Sequence, residues 1–340
     1  MANEKVTSND VAKRAGVSQS AVSRVFTPGA SASKETIEKV RQAATELGYR
    51  PNVLARSLIT GKSRIIGLVV AYLDNYFYPE MVERLSVALQ EKAYHVLVFM
   101  ASPTVGDVER VLQEILDYQV DGLVLASVSM SSVLAGQCQA FGIPVVLFNR
   151  DQDDVRLSSV TTDNIAGGRA VADHLVGIGR RRIGYIAGFE GASTQRDREA
   201  GFREGLAAHG RELDARGVGN FEHPQAREAT RRMFDRPDRP DALFVCNDHM
   251  AFAAMDVIRF ELGLRIPEDV AVAGFDDVPP AAWPAYALTS FRQRINRMVA
   301  ETVTTLMAQI EGGDSEPRRI RIDGSLIVRG STVQTEGTAQ

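Results

Sequence analysis

In the second part of this chain, amides, charged groups and aromatics recur just beyond short apolar runs. Asn75 and Phe77 follow the run that begins at Ile65, Asn149 and Arg150 follow residues 145–148, and Arg196 lies in the loop after the run ending at Gly188. Phe221 precedes a helical stretch, Asn247 and Asp248 follow residues 242–246, and Asp276 and Asp277 follow residues 270–273. A carboxylate, guanidiniums, amides and aromatic faces are the groups that hold a hydroxyl-rich or heterocyclic small molecule. Asp276 and Asp277 also suit general acid–base work in a sugar-processing enzyme; a binding role accounts for them equally well without a paired catalytic group. A different chemistry stands near the N-terminus, where Gln19, Ser20, Ser23 and Arg24 supply short polar and long basic side chains. Such side chains reach base edges when a helix N-terminus enters the major groove.

The elements that must position these groups can be read outward from them. Thr7 or Ser8 can cap a helix with Val11, Ala12 and Ala15 on one face, and Gly16 permits the turn that follows. Ser18 can cap a second short helix, residues 19–26, with Val22 and Val25 inward and the polar set outward. Two short helices across a tight glycine turn form a helix-turn-helix. A third helix begins near Ser33, repeats Ile37, Val40, Ala44 and Leu47, and stops at Gly48. On helix pattern alone, DNA binding and a small bundle that binds protein both remain open. Residues 52–58 are too short for a stable helix by themselves. They read either as a plain linker or as a conditional helix that places Leu54 and Leu58 on one face, where a leucine wedge can unstack a minor-groove step.

Beyond this head, residues 65–71, 96–100, 122–125 and 145–148 are apolar runs of strand length, separated by amphipathic stretches such as 81–92. The pattern restarts at residues 182–188 and continues through 242–246 and 270–273, with 199–208 helical between them. Two similar α/β lobes are expected, with ligand groups beyond the carboxyl ends of the strands.

A length of 340 residues calls for at least two domains. The net charge of −4 conceals an asymmetry, since 11 of 39 Lys and Arg but only 5 of 43 Asp and Glu precede Ile65. A head of +6 on a body of −10 suits a polyanion partner for the head alone. The apolar runs are too short to span a membrane and the N-terminus lacks a basic-then-apolar leader, so a cytoplasmic protein is expected. Cys138 and Cys246 form no CxxC pair and are expected as reduced core thiols. Cys246 and His249 lack a second ligand pair for zinc, and Gly177, Gly179 and Gly184 miss the GxGxxG spacing. No GxSxG or GxxxxGK[ST] occurs, and no cofactor or metal is expected.

In the head, the distinctive stretches are 10–18 (DVAKRAGVS), 22–24 (VSR), 47–52 (LGYRPN), Ala55 and Leu58. In the body they are 143–146 (IPVV), 162–164 (TDN), Gly167-Gly168, His174-Leu175, Arg196, Gly201-Phe202, 246–248 (CND), 274–277 (GFDD), Leu288-Thr289 and 326–332 (LIVRGST). On these residues the chain resembles the LacI/GalR (lactose repressor/galactose repressor) family. The resemblance implies a sequence-specific DNA-binding regulator, a repressor whose operator affinity changes allosterically with a small polar effector such as a sugar. The fold implied is an all-α helix-turn-helix head plus an α/β two-lobed, periplasmic-binding-protein-like sensor with parallel sheets flanked by helices. The expected domains are a head over 1–50, a hinge over 51–63, a sensor over 64–335 and a loose tail over 336–340. The lobes are expected over 64–162 with 291–322, and over 163–290 with 323–335.

By position, Gln19 and Ser20 would choose bases, Arg24 would add a base or phosphate contact, and Leu58 would be the wedge. Thr7, Ser8, Ser23, Asn52 and Ala55 would sit at the backbone or the hinge–DNA interface. Arg196 and Asp276 would bind the effector's polar groups beside Asn247, with Phe77 and Phe221 as stacking faces and Asn75, Asn149 and Arg150 nearby. Some sugar-sensing members place a carboxylate where this chain has Asn149 and Arg150. Without C-terminal apolar heptads, a homodimer on near-palindromic double-stranded DNA is expected rather than a tetramer. The competing reading is a sugar-binding protein or sugar-processing enzyme with no DNA role.

Overall fold

Glycine turns and side-chain caps delimit the helices of the head. The computed structural model describes residues 6–27, 31–50, 62–101, 105–312 and 316–333, and the chain divides into two compact units, Met1–Ser63 and Arg64–Gln340. In the first, α1 (Ser8–Ala15) opens on a reciprocal capping box between Thr7 and Asp10 and closes on Gly16, which takes a left-handed φ of 69°. Such a box contributes about 1 kcal/mol by satisfying otherwise orphaned backbone donors. Ser18 caps α2 (Gln19–Val25), and Ser33 caps α3 (Lys34–Leu47). Val11, Ala12, Val22, Val40, Ala43 and Ala44 form the small buried core between them. The expected hinge helix with Asn52, Ala55 and Leu58, and the expected tail, lie outside the described residues.

Among the described residues, the second unit holds two six-stranded sheets. The N-terminal lobe contains β1 (Ile65–Val70), β2 (His95–Met100), β3 (Gly122–Ala126), β4 (Val145–Phe148), β5 (Ser158–Thr162) and β11 (Arg319–Ile322), in the order β11-β5-β4-β3-β1-β2. The C-terminal lobe contains β6 (Ile183–Ala187), β7 (Ala215–Val218), β8 (Ala242–Val245), β9 (Ala271–Asp276), β10 (Thr289–Arg292) and β12 (Ser325–Ile327), in the order β12-β10-β9-β8-β6-β7. Every described pair is parallel except β10 with β12. Strands β1, β3, β4, β6 and β8, and β9 up to Asp276, are apolar and almost wholly buried, as parallel strands covered on both faces must be.

Helices connect the strands: α4 (Phe77–Gln90), α5 (Val105–Asp117), α6 (Ser132–Ala140), α7 (Asn164–Gly177), α8 (Ser193–Ala208), α9 (His223–Phe234), α10 (Asp248–Asp256) and α11 (Ile295–Ile310). The chain crosses between lobes after β5, after β10 and after β11. The second crossing corrects the expected boundary at residue 291. Phe291 and Arg292 still pair with Phe275 and Asp276, so β10 belongs to the C-terminal lobe and the crossing falls at Gln293 and Arg294.

Helices α7 and α8 pack so closely that glycine is required. A Cβ at Gly168 would stand 2.2 Å from the Arg198 carbonyl oxygen, and one at Gly201 2.0 Å from that of Ile165. This contact fixes α8 against the lobe, and with it the arginine that α8 carries inward.

Candidate functional site

Two groups of polar side chains stand out, one in each unit. On α2, Gln19, Ser20, Ser23 and Arg24 are exposed along one face while Ala21 and Val22 enter the core. Ser18 caps the helix, and its hydroxyl lies 2.9 Å from that of Ser20. The Gln19 amide donates to Ser8 Oγ at 3.0 Å, which ties the start of α2 to α1. Thr7 is committed to Asp10, donating from its backbone N–H at 2.9 Å and its hydroxyl at 2.7 Å. The face is therefore rigidly presented, and Arg24 is its one long cation.

The second group lies between the lobes at the carboxyl ends of the strands. Tyr72, Asn75, Tyr78, Asn149 and Arg150 approach from the N-terminal lobe, and Thr194, Arg198, Phe221, Asn247 and Asp276 from the C-terminal lobe. About 10 Å³ of cavity remains among them, the size at which a single water just fits. Strained backbone marks the same strand ends: Ser127, Asn149, Phe221, Asp276 and Asp277 all have positive φ, 64° at Phe221 and 122° at Asp276. A bulky aromatic held there costs free energy that only a demanding local arrangement sustains. Gly188 makes room for it, since a Cβ at Gly188 would lie 2.2 Å from the Phe221 ring.

Arg198 is the electrostatic centre of this group. It is 2% exposed, donates from Nε to Asn164 at 2.9 Å and from Nη1 to the Cys246 carbonyl at 2.7 Å, and lies 3.5 Å from Asp276 Oδ1. Its guanidinium stacks over Phe275 at 3.7 Å. The Gln293 amide also donates to Asp276 Oδ1, at 2.7 Å. Burial pushes the Asp276 carboxyl up to about 6, against the opposing pull of Arg198 and Gln293. Behind it, burial and the neighbouring charge of Asp276 hold Asp248 well above the ordinary carboxylate range; Asp248 accepts from Ser290 at 2.6 Å and from the Val278 N–H at 3.0 Å.

In the other lobe, Asn149 donates to Ser127 at 3.0 Å and to the Tyr78 hydroxyl at 3.4 Å, while its Oδ1 has no partner among the described residues. Asn247 caps α10 by accepting from the Met250 N–H at 3.0 Å.

Six of the eight expected effector residues meet here: Asn75, Asn149, Arg150, Phe221, Asn247 and Asp276. Two do not line this cavity, and of these the Arg196 assignment is corrected. Arg196 is exposed on α8, because the helix begins at Ser193 rather than near Glu199 and turns residue 196 away from the buried face shared by Gln195, Arg198 and Phe202. Phe77 is 3% exposed and packed against Tyr78 and Phe148 at 5.4 and 6.3 Å between ring centroids, and it lines a neighbouring cavity of about 400 Å³ with Asp276 and Gln293. Tyr72 is the aromatic that reaches the cleft instead. Tyr78 lies in the stretch 74–78 that the strand-end rule selects, whereas Tyr72, Thr194 and Arg198 carried no such signal. A different signal for Arg198 existed, four residues before Phe202 and hence on its face of the helix.

The architecture defines a protein class: a helix-turn-helix head joined to a two-lobed α/β sensor. Residues 7–52 match the bacterial regulatory proteins of the lacI family, and residues 172–332 match the periplasmic binding protein-like domain. The HTH-type transcriptional regulator CelR of Thermobifida fusca is 34% identical over 330 residues, 94% of this chain and 96% of that protein. The regulator AscG of Escherichia coli (strain K12) is 30% identical, covering 95% of this chain and 97% of AscG. A structure of the Lac repressor dimer bound to operator and the anti-inducer ONPF superposes with a TM-score of 0.88 at 27% identity, covering 97% of this chain and all of that one. A CelR–cellobiose complex superposes with a TM-score of 0.73 at 33% identity, covering 96% and 100%. The chain belongs to the LacI family of bacterial transcription regulators.

Proposed function

We propose that this regulator binds a near-palindromic operator as a homodimer through α2 and senses a small polyhydroxylated effector between its lobes. The observation that carries the reading is the buried Arg198–Asp276 pair, with Asn247 beside it, at facing strand ends. Asp276 accepts hydrogen bonds from effector hydroxyls, Arg198 and Asn247 donate, and Phe221 and Tyr72 offer ring faces. Because the cavity is now so small, a sugar enters only as the lobes separate about the crossings, and the effector-bound and effector-free lobes differ in rotation. That rotation is the regulatory signal. Cellobiose in the CelR complex supports a sugar as the chemical class. Asp276 is held by Arg198 and Gln293, which suits a binding group, and in this reading the protein is a sensor without catalytic turnover, working in the cytoplasm where its operator is. The matched relatives are themselves transcription regulators, and among the described residues no helix is long and apolar enough to cross a membrane.

On the head, Gln19 and Ser20 read bases, Ser23 and Thr7 position the backbone with Ser8 behind Gln19, and Arg24 adds the cationic contact. Asn52, Ala55 and Leu58 remain assigned to the hinge. Removing Arg24 as Arg24→Ala should weaken operator binding roughly 10- to 100-fold and flatten its salt dependence, since one phosphate or bidentate base contact is worth about 1–3 kcal/mol. Selection of duplexes from a random pool, followed by salt titration of parent and variant, tests this. A parent that prefers no duplex would overturn the operator reading.

The raised Asp276 carboxyl gives effector binding a pH dependence. Below about 6 the group is protonated and loses acceptor capacity, so effector affinity should rise as pH increases from 5 to 7 and level off above. For folding the sign is reversed. The folded state holds the proton more tightly than the unfolded chain, so this group makes stability fall as pH rises from about 3.8 to about 6. Calorimetric titration of effector between pH 5 and 8, with Asp276→Asn as the pH-independent control, measures it.

A further inference from the structure

Arg150 differs from every other charged group in the cleft. It is 5% exposed, and its Nε has no hydrogen-bond partner among the described residues. Its guanidinium carbon lies 5.5 Å from the ring centroids of both Tyr72 and Phe221. Arg198, by contrast, has a carboxylate, a carbonyl and an amide oxygen around it. Among the described residues that line the cleft, the carboxylate is that of Asp276, and it is the partner of Arg198. At the residue beside Arg150 the chain has Asn149, an amide that adds no charge and whose buried Oδ1 is also unpartnered.

A buried cation without a counter-charge is costly, and two aromatic faces return only part of the lost hydration. The arrangement has a purpose if the missing charge arrives with the effector. We propose, building on the sugar-sensor reading, that the effector is an anionic polyol, a sugar acid or sugar phosphate, whose negative group pairs with Arg150. Its hydroxyls donate to Asn149 Oδ1 at the same end and to Asp276 at the other. The guanidinium lies between the rings of Tyr72 and Phe221. An arriving anion draws it out of that slot and opens the aromatic faces to the sugar ring.

The test uses the full-length protein and matched probes: neutral pentoses and hexoses, their aldonates and uronates, and their phosphate esters, screened by thermal shift and then by calorimetry. Stabilisation by an acid or a phosphate ester, with no effect of its neutral parent sugar, is the expected result, and the two anionic arms identify the source. For that probe Arg150→Gln should weaken binding about 10- to 100-fold, the loss of one charge-assisted partner, and remove its salt dependence. A neutral sugar that binds while its acid and ester do not would overturn the anionic assignment and leave the sugar sensor standing. The same arms are run with cellobiose and its aldonate and phosphate ester, and failure of every arm to stabilise the protein or to alter its operator affinity in a parallel duplex titration would overturn the sugar sensor itself. A ligand-free measurement stands apart from the probes. Arg150→Met should melt at the same temperature as the parent or higher, because it removes an uncompensated buried cation. A fall of several degrees would show that the aromatic sandwich is the residue's purpose, and would overturn the proposal.

Discussion

Asp276→Asn is expected to leave the protein folded and able to bind operator while cutting effector affinity roughly 100-fold. The substitution keeps shape and volume, so the loss is electrostatic. A carboxylate accepting from two effector hydroxyls makes charge-assisted hydrogen bonds, each worth about 1.5–3 kcal/mol. Its amide replacement also points a donor at Arg198 in one of its two orientations. Arg198→Lys should act in the same direction by losing the planar fork that serves Asn164, Cys246 and Asp276 together. Arg196→Ala is the informative control. It removes an exposed arginine two residues away on α8, and response to effector should be unchanged. Operator titration with and without effector reads all three. An unaltered response in Asp276→Asn would remove that carboxylate from the site, and a lost response in Arg196→Ala would move the site to the outer face of α8. Because binding free energies are linked, operator must change effector affinity by the factor by which effector changes operator affinity. Equal effector affinity with and without operator would remove the allosteric mechanism.

The second large effect is structural. Gly201→Ala places a methyl 2.0 Å from the Ile165 carbonyl oxygen and 2.7 Å from its backbone carbons, and backbone cannot swing aside as a side chain can. Helices α7 and α8 must separate, at a cost of about 3 kcal/mol. For a unit of this size that is a fall in melting temperature of roughly 6–12 °C. Gly177→Ala is the matched control on α7, with nothing within 4 Å of its added carbon, and should be neutral or slightly stabilising. Calorimetry of the two variants separates close packing from a general intolerance of substitution. Equal melting temperatures would mean that the helix pair yields more readily than its backbone contact implies.

Where burial is apolar on both faces, the sequence announced the strands: β1, β3, β4, β6 and β8 fall within a residue or two of their apolar runs. Strand β5 was silent because its residues, SSVTT, are buried yet polar. Ser158 accepts from the Gln309 amide and the Arg318 N–H, and the Thr162 hydroxyl donates to Gln293, all partners roughly 130–160 residues away in the chain. No local pattern encodes such satisfaction. The start of α8 was hidden for a related reason: its first turns, STQRDRE, look like a solvated loop, although Ser193, Thr194, Gln195 and Arg198 are buried. Treating them as a loop made the two arginines equivalent. Once the helix is extended one turn before Phe202, its period selects Arg198. The strand-end rule located most of the cleft; helix phase was needed to choose among its charges.

The order of the N-terminal lobe's sheet has a consequence for synthesis on the ribosome. Strand β11, which pairs with β5 at the sheet's edge, is translated about 160 residues after it, once nearly all of the other lobe has emerged. At bacterial elongation rates, roughly 5–20 residues per second, β5 waits on the order of 10–30 s without its outer neighbour. Throughout that interval the nascent lobe carries an open edge, the kind of surface on which chains pair wrongly or chaperones settle. Its polar sequence, SSVTT, makes this edge less adhesive than the apolar strands one row inward would be. A premature stop just before Arg319 would make the exposure permanent, so such truncated chains should be cleared rather than accumulate as idle operator binders.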